Sequence, residues 1–150
     1  MTVSQQLNDH IKEAMKAKEK ERLTLLRSIK AAFQNKEIEI GDKLSPADEV
    51  ALVLKMIKQR REAAEGFRKG GAEERAVQED WEATLLESYL PPAPDEAEID
   101  AAIEAEVAKL DPSAVNAKAM GPIMKALNEK FAGRPVDGKA LSAKIKSRLS

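Results

Sequence analysis

The sequence predicts an all-α protein, with a helical N-terminal module of about four helices over residues 1–90 and a small three-helix module over residues 91–150. Three observations lead there. Aromatics make up only 3% of the 150 residues, and β-branched residues are sparse beside Ala, Leu, Glu, Lys, Arg and Gln, which lose little side-chain freedom in a helix. Apolar residues recur at three- and four-residue intervals along most of the chain. The run Tyr89-Leu90-Pro91-Pro92-Ala93-Pro94 cannot continue a helix, because its prolines remove amide donors and push each preceding residue toward extended geometry; it marks the module boundary.

The first helix is expected over Val3–Lys18, with Leu7, Ile11, Ala14 and Met15 on one stripe. A second follows almost without a break, carries Leu23, Leu26, Ile29 and Phe33, fades near Glu37-Ile38-Glu39-Ile40 and is stopped by Gly41. Ser45-Pro46 opens the third, the hydroxyl capping free amides and the proline sitting where its missing N–H costs nothing. Val50, Val53, Leu54, Ile57, Ala64 and Phe67 form its stripe, and Gly70-Gly71 ends it. The fourth, about Ala72 to Ser88, is read as burying Val77, Trp81, Leu85 and Tyr89.

The fifth starts near Asp95 and packs through Ile99, Ala102, Ile103, Val107 and Leu110 until Asp111-Pro112 breaks it. A turn through Asn116 to Gly121 then places Pro122 in the first turn of a sixth helix bearing Met120, Ile123, Met124, Leu127 and Phe131. Gly133-Arg134-Pro135 closes that one, and Leu141, Ile145 and Leu149 define the seventh.

Composition excludes several chemistries. With no cysteine there are no disulfides, thiolate zinc sites or cysteine nucleophiles, which fits a reducing compartment. Residues Met1 to Asn8 lack the basic-then-apolar order of a secretion signal, and no apolar run approaches the roughly 20 residues of a membrane span. A soluble, cytoplasmic monomer with no membrane partner is the expectation. His10 is the only histidine and reads as an exposed helix residue. The carboxylates show no ligand spacing beyond that of any charged helix, and Gly70-Gly71 lacks the Lys-Ser/Thr of a nucleotide loop. No catalytic residue, metal or cofactor is assigned.

The formal charge of −1 hides an asymmetry: residues 1–72 carry +4, residues 73–111 carry −11 and residues 112–150 carry +6. On charge alone the simpler explanation of the tail is a solvated face paired with the acidic middle. The alternative is an anion-binding surface, because local charge sets the field a polyanion meets. Its candidates are Arg134 in the Gly133 to Gly138 loop and Lys125, Lys130, Lys139, Lys144, Lys146 and Arg148 in the adjoining helices. Loop glycines let backbone N–H groups approach phosphate while lysines replace counterions.

Several strings taken in order resemble the YqeY-like family, which is similar to the tail region of the B subunit of glutamine-dependent aspartyl/glutamyl-tRNA amidotransferase. They are Arg22-Leu23 with Leu26-Arg27; Ile57-Lys58-Gln59-Arg60 followed by Phe67; Tyr89-Leu90-Pro91; Met120-Gly121 with Met124; and Gly133-Arg134 before Asp137-Gly138. The sequence departs from the pattern at the start of the fourth helix, where Ala72 and Glu74-Arg75 stand in place of an arginine and an Asp-Leu pair. It departs again at Pro122, where a lysine is common.

The resemblance implies a non-catalytic accessory protein that contacts tRNA or a tRNA-amidation complex through the basic C-terminal surface, with Lys58, Gln59 and Arg60 as a further surface motif. A protein-interaction module without RNA is the alternative. A carbon-nitrogen ligase activity with glutamine as amido-N-donor belongs, on this reading, to other domains of such complexes.

Overall fold

The structure is a computed structural model describing residues 2–150; Met1, where the expected N-terminal module begins, lies outside them. Among the described residues there are seven α-helices, two 3-10 turns and no strand. The helices are α1 (Val3–Ala17), α2 (Lys20–Ile40), α3 (Pro46–Lys69), α4 (Glu73–Glu87), α5 (Glu96–Ala108), α6 (Met120–Lys130) and α7 (Gly138–Leu149), with the 3-10 turns Pro112–Ala114 and Ala117–Ala119 between α5 and α6. The chain divides into two compact units, Met1–Leu90 and Pro91–Ser150.

Local chemistry explains several helix ends. Thr2 Oγ1 accepts from Gln5 N at 3.2 Å while the Gln5 side chain accepts from Thr2 N at 2.9 Å, a reciprocal box that opens α1. Lys18 turns the chain into α2 at φ 57°, a left-handed conformation that costs a side-chain-bearing residue some strain. Gly41 ends α2 at φ 74°, where the missing Cβ removes that cost. Ser45 Oγ accepts from Asp48 N at 3.1 Å with Pro46 in the first turn, and Asp95 does the same for Glu98 N at 2.7 Å at the head of α5.

In the first unit the core is aliphatic, built on Leu7, Leu26, Ile29, Val53 and Leu86 with Phe33 and Tyr89. Glu49, first-turn residue of α3, is the buried charged side chain here; one of its carboxylate oxygens accepts from Ser4 N at 3.1 Å and from the Ser4 hydroxyl, tying α3 to the start of α1. In the second unit Ile103, Ile123, Leu127, Leu141 and Ile145 form the core together with Phe131.

The fourth helix is phased differently from the sequence reading. Val77 and Trp81 are 55% and 38% exposed, whereas Ala76, Ala83 and Leu86 are fully buried. Small residues on α3 and α4, Ala64 with Ala76 and Ala83, let two backbones pack along their length, so the larger apolar side chains fall outside the seam. Met15 is likewise exposed at 52%, while Ala14 beside it is buried.

Candidate nucleic-acid interface

The second unit places the basic tail in a definite frame. On α7 the stripe Leu141, Ile145 and Leu149 faces the core, which puts Lys144 and Arg148 on one flank and Lys139 and Lys146 on the other. The first flank meets α5. Lys144 Nζ lies 2.9 Å from Asp100 Oδ1, and Arg148 forks onto the Glu104 carboxylate, with Nη2 to Oε2 at 3.2 Å. Both pairs are 44 residues apart in sequence, so the two helices run alongside in the same direction and match one i,i+4 pair of acids to one i,i+4 pair of cations.

Arg134 is engaged as well. Its Nη2 and Nη1 donate to the two Glu98 carboxylate oxygens at 2.9 and 3.4 Å, and its Nε donates to the Pro92 carbonyl at 3.3 Å. Gly133 adopts φ 85°, and Arg134 N bonds back to Phe131 O at 3.0 Å, so this loop is a helix stop followed by an arginine brace. The Arg148 hydrogen bond holds the Glu104 carboxyl below the usual carboxylate range, and the Asp100 hydrogen bond raises the Lys144 ammonium above its usual value.

The remaining candidates stand apart. Lys125, Lys130, Lys139 and Lys146 form no ion pair among the described residues, and all are exposed. Lys139 and Lys146 lie seven residues, or about 10.5 Å, apart on one flank of α7. Lys125 falls on the side of α6 opposite the buried Ile123 and Leu127, so the four lysines do not form a single row. Beside Lys146, a shallow hollow of about 270 Å³ is lined by Ala117, Met120 and Leu149.

The string Lys58-Gln59-Arg60 is divided in the first unit. Lys58 and Gln59 are exposed, whereas Arg60 is largely covered, its Nη1 donating to Met56 O at 3.4 Å and its Nε 3.3 Å from Glu82 Oε2 without hydrogen-bond alignment. Arg61 bridges Asp80 and Glu87 at 2.9 Å each, and Arg68 reaches Asp80 at 2.6 Å and Glu73 at 3.2 Å. The Arg68 and Arg61 hydrogen bonds hold the Asp80 carboxyl below its ordinary range. Burial, with Glu82 nearby, raises that of Glu79. These contacts stitch α3 to α4.

His10, expected to be exposed, is half-buried with Nδ1 2.6 Å from the Tyr89 hydroxyl. Helical spacing from Leu7 puts it beside the core stripe, and the partner comes from 79 residues away, beyond local sequence reasoning. Burial pushes the Tyr89 phenol up to about 12, so it stays protonated at neutral pH and the pair is a tether between α1 and the end of α4. Among the described residues no group of three or more His, Asp or Glu side chains is placed to hold a metal ion, and no helix is long and apolar enough to cross a membrane.

Comparison with known proteins gives a family. The model of the Yqey-like protein family matches residues 4–149. Similar sequences include three yeast proteins named "Altered inheritance of mitochondria protein 41, mitochondrial". That of Eremothecium gossypii is 37% identical over 91 residues, 59% of this chain and 49% of the relative. That of Lachancea thermotolerans is 35% identical over 102 residues, 65% and 54% of the two chains. One from Saccharomyces cerevisiae is 32% identical over 107 residues, 69% and 56%. The chain thus spans about half the length of these relatives. Their names correct the cytoplasmic placement expected above, since they point to mitochondria. Lack of cysteine and of a secretion signal, on which that placement stood, does not separate the two compartments.

Proposed function

The chain belongs to the Yqey-like protein family, and from that premise we propose that it is a non-catalytic accessory protein that binds the phosphate backbone of a folded RNA. The RNA suggested by the family's likeness to the amidotransferase tail is tRNA, free or within a tRNA-amidation complex. The observation that carries this reading is that Lys139 and Lys146 stay exposed and unpaired on α7 although α5 supplies carboxylates to the opposite flank. Cations left without protein partners hold counterions that a polyanion releases on binding. Arg134, Lys144 and Arg148 have an architectural role instead, pinning α7 and the loop before it to α5.

The test is tRNA binding by the purified protein across a salt series, with Lys139→Gln and Lys146→Gln introduced together. The double variant should weaken binding and flatten the dependence of log affinity on log salt by about 1–2 units of slope, since each phosphate contact contributes roughly 0.7–0.9. An unaltered slope would remove this flank from the interface. A second reading, a protein-interaction module without RNA, draws support from the hollow beside Met120 and Leu149, which suits an apolar side chain. Nuclease treatment separates the two, because it should release a partner held through RNA and leave a directly bound protein in place.

A further inference from the structure

Helix α2 carries a second set of unpaired cations. Between Glu21 and Glu37 it has no acidic residue, while Arg22, Arg27, Lys30 and Lys36 fall within that stretch. Arg22 is taken by Glu13 and Glu19 at 4.0 and 3.6 Å, and Lys36 by Glu39 at 3.4 Å. Lys20, Arg27 and Lys30 make no ion pair among the described residues and are exposed. The buried side of the helix is Leu25, Leu26, Ile29 and Phe33, so Lys20 and Arg27 lie on the opposite, solvent side and Lys30 on its flank. Lys20 and Arg27 are two turns, about 10.5 Å, apart, and Lys30 lies about 4.5 Å further along the axis and to one side.

We infer that this solvent face of α2 contacts the phosphate backbone of a structured RNA, independently of the lysines on α7. The ligand class rests on the function proposed above, whereas the location rests on the charge pattern alone. What surrounds the cations decides between RNA and an acidic protein. Thr24, Ser28, Ala31, Gln34 and Asn35 are the exposed side chains around Arg27 and Lys30, small or polar groups able to meet phosphate and sugar oxygens. A protein interface would need an aromatic or large aliphatic anchor at its centre, and this stretch has none; the exposed Ile38 and Ile40 lie beyond it, among Glu37, Glu39 and Asp42. The acid-free run of about four helical turns that holds Arg27 and Lys30, with polar fillers and with Lys20 just ahead of it between Glu19 and Glu21, favours a polyanion that is read through its charge.

The experiment compares tRNA binding, over a salt series, by the full chain and three variants. The first replaces Lys20, Arg27 and Lys30 by glutamine, a good helix former, with far-UV circular dichroism as the control for folding. The second is Ala31→Glu, which leaves every cation in place and sets a carboxylate among them. The third is the Lys139→Gln, Lys146→Gln pair. The inference expects the triple variant to lose roughly tenfold or more in affinity at low salt and about 2–3 units of salt slope, with Ala31→Glu weakening binding in the same direction. If both α2 variants bind as the unaltered chain does while the α7 variant weakens, the inference is overturned and the proposed function stands. If the unaltered chain binds no tRNA at low salt, both fall.

Discussion

The two compact units use the same residue types to opposite ends. In the first, ion pairs run between α3 and α4, with Arg60, Arg61 and Arg68 facing Asp80, Glu82 and Glu87, and α2 is left with cations that nothing answers. In the second, the pairs run between an acidic helix, α5, and a basic one, α7, so part of the tail's positive charge is spent inside the unit. Segment charge therefore overstates what the tail leaves free and passes over α2. Residues 112–150 carry +6, yet three of their eight cations are held by α5 carboxylates, whereas α2 keeps three free within a segment that carries only +4.

Matched core truncations should separate the units most strongly. Leu26→Ala and Leu127→Ala each remove a fully buried leucine, and each should cost about 2–5 kcal/mol. The second unit, at about 60 residues, has the smaller reserve. Leu127→Ala is expected to melt it while the fluorescence of Trp81, in the first unit, keeps its unfolding midpoint. A Trp81 transition that shifts equally in both variants would mean that the units unfold as one.

A contrast of intermediate size lies at Glu49, for which the second unit has no counterpart. Glu49→Ala strands the Ser4 amide and hydroxyl in a partly buried site and should cost about 1–3 kcal/mol in denaturant unfolding. A loss below a few tenths would mean that water replaces the carboxylate freely.

The ladder on α5 can be removed to make α7 resemble α2. Glu98→Gln, Asp100→Asn and Glu104→Gln together free Arg134, Lys144 and Arg148, and tRNA affinity at low salt should rise about tenfold. Unchanged affinity would place the RNA away from that flank.

The smallest effects are pH-dependent. The depressed carboxyls of Asp80 and Glu104 contribute stability above their unfolded values of about 3.9 and 4.3, and it is lost as pH falls through the lower folded values. Thermal melts of both units should soften only below about pH 4. At the alkaline end Tyr89 is the sole tyrosine, so tyrosinate absorbance reads it directly; its raised pKa means stability held below about 10 and lost toward about 12. A midpoint near 10 would show that the hydroxyl beside His10 is solvated.

Much of this architecture was legible in the sequence because caps and apolar periodicity are local. Ser45-Pro46, Asp95 and the Pro122 first turn declare themselves within a few residues. Phase was harder where the buried side is alanine: Val77 and Trp81 carry the larger apolar signal, but the close approach of α3 and α4 buries Ala76 and Ala83 instead. Pairings across sequence were beyond reach, as with Ser4 and Glu49, His10 and Tyr89, and the α5–α7 ladder. That ladder left one readable trace, Asp100 and Glu104 sharing the i,i+4 spacing of Lys144 and Arg148. The acid-free run in α2 was equally present in the sequence, and whole-segment counting diluted it with the carboxylates of α1 and α3.

Titrating the purified protein into labelled tRNA at a series of monovalent salt concentrations goes to the heart of the matter, because unpaired lysines and arginines can matter to function only through an anion. Affinity should fall steeply and linearly on logarithmic axes as salt rises, with a slope of several units. Binding that is absent at low salt, or that ignores salt, would contradict a function built on those cations.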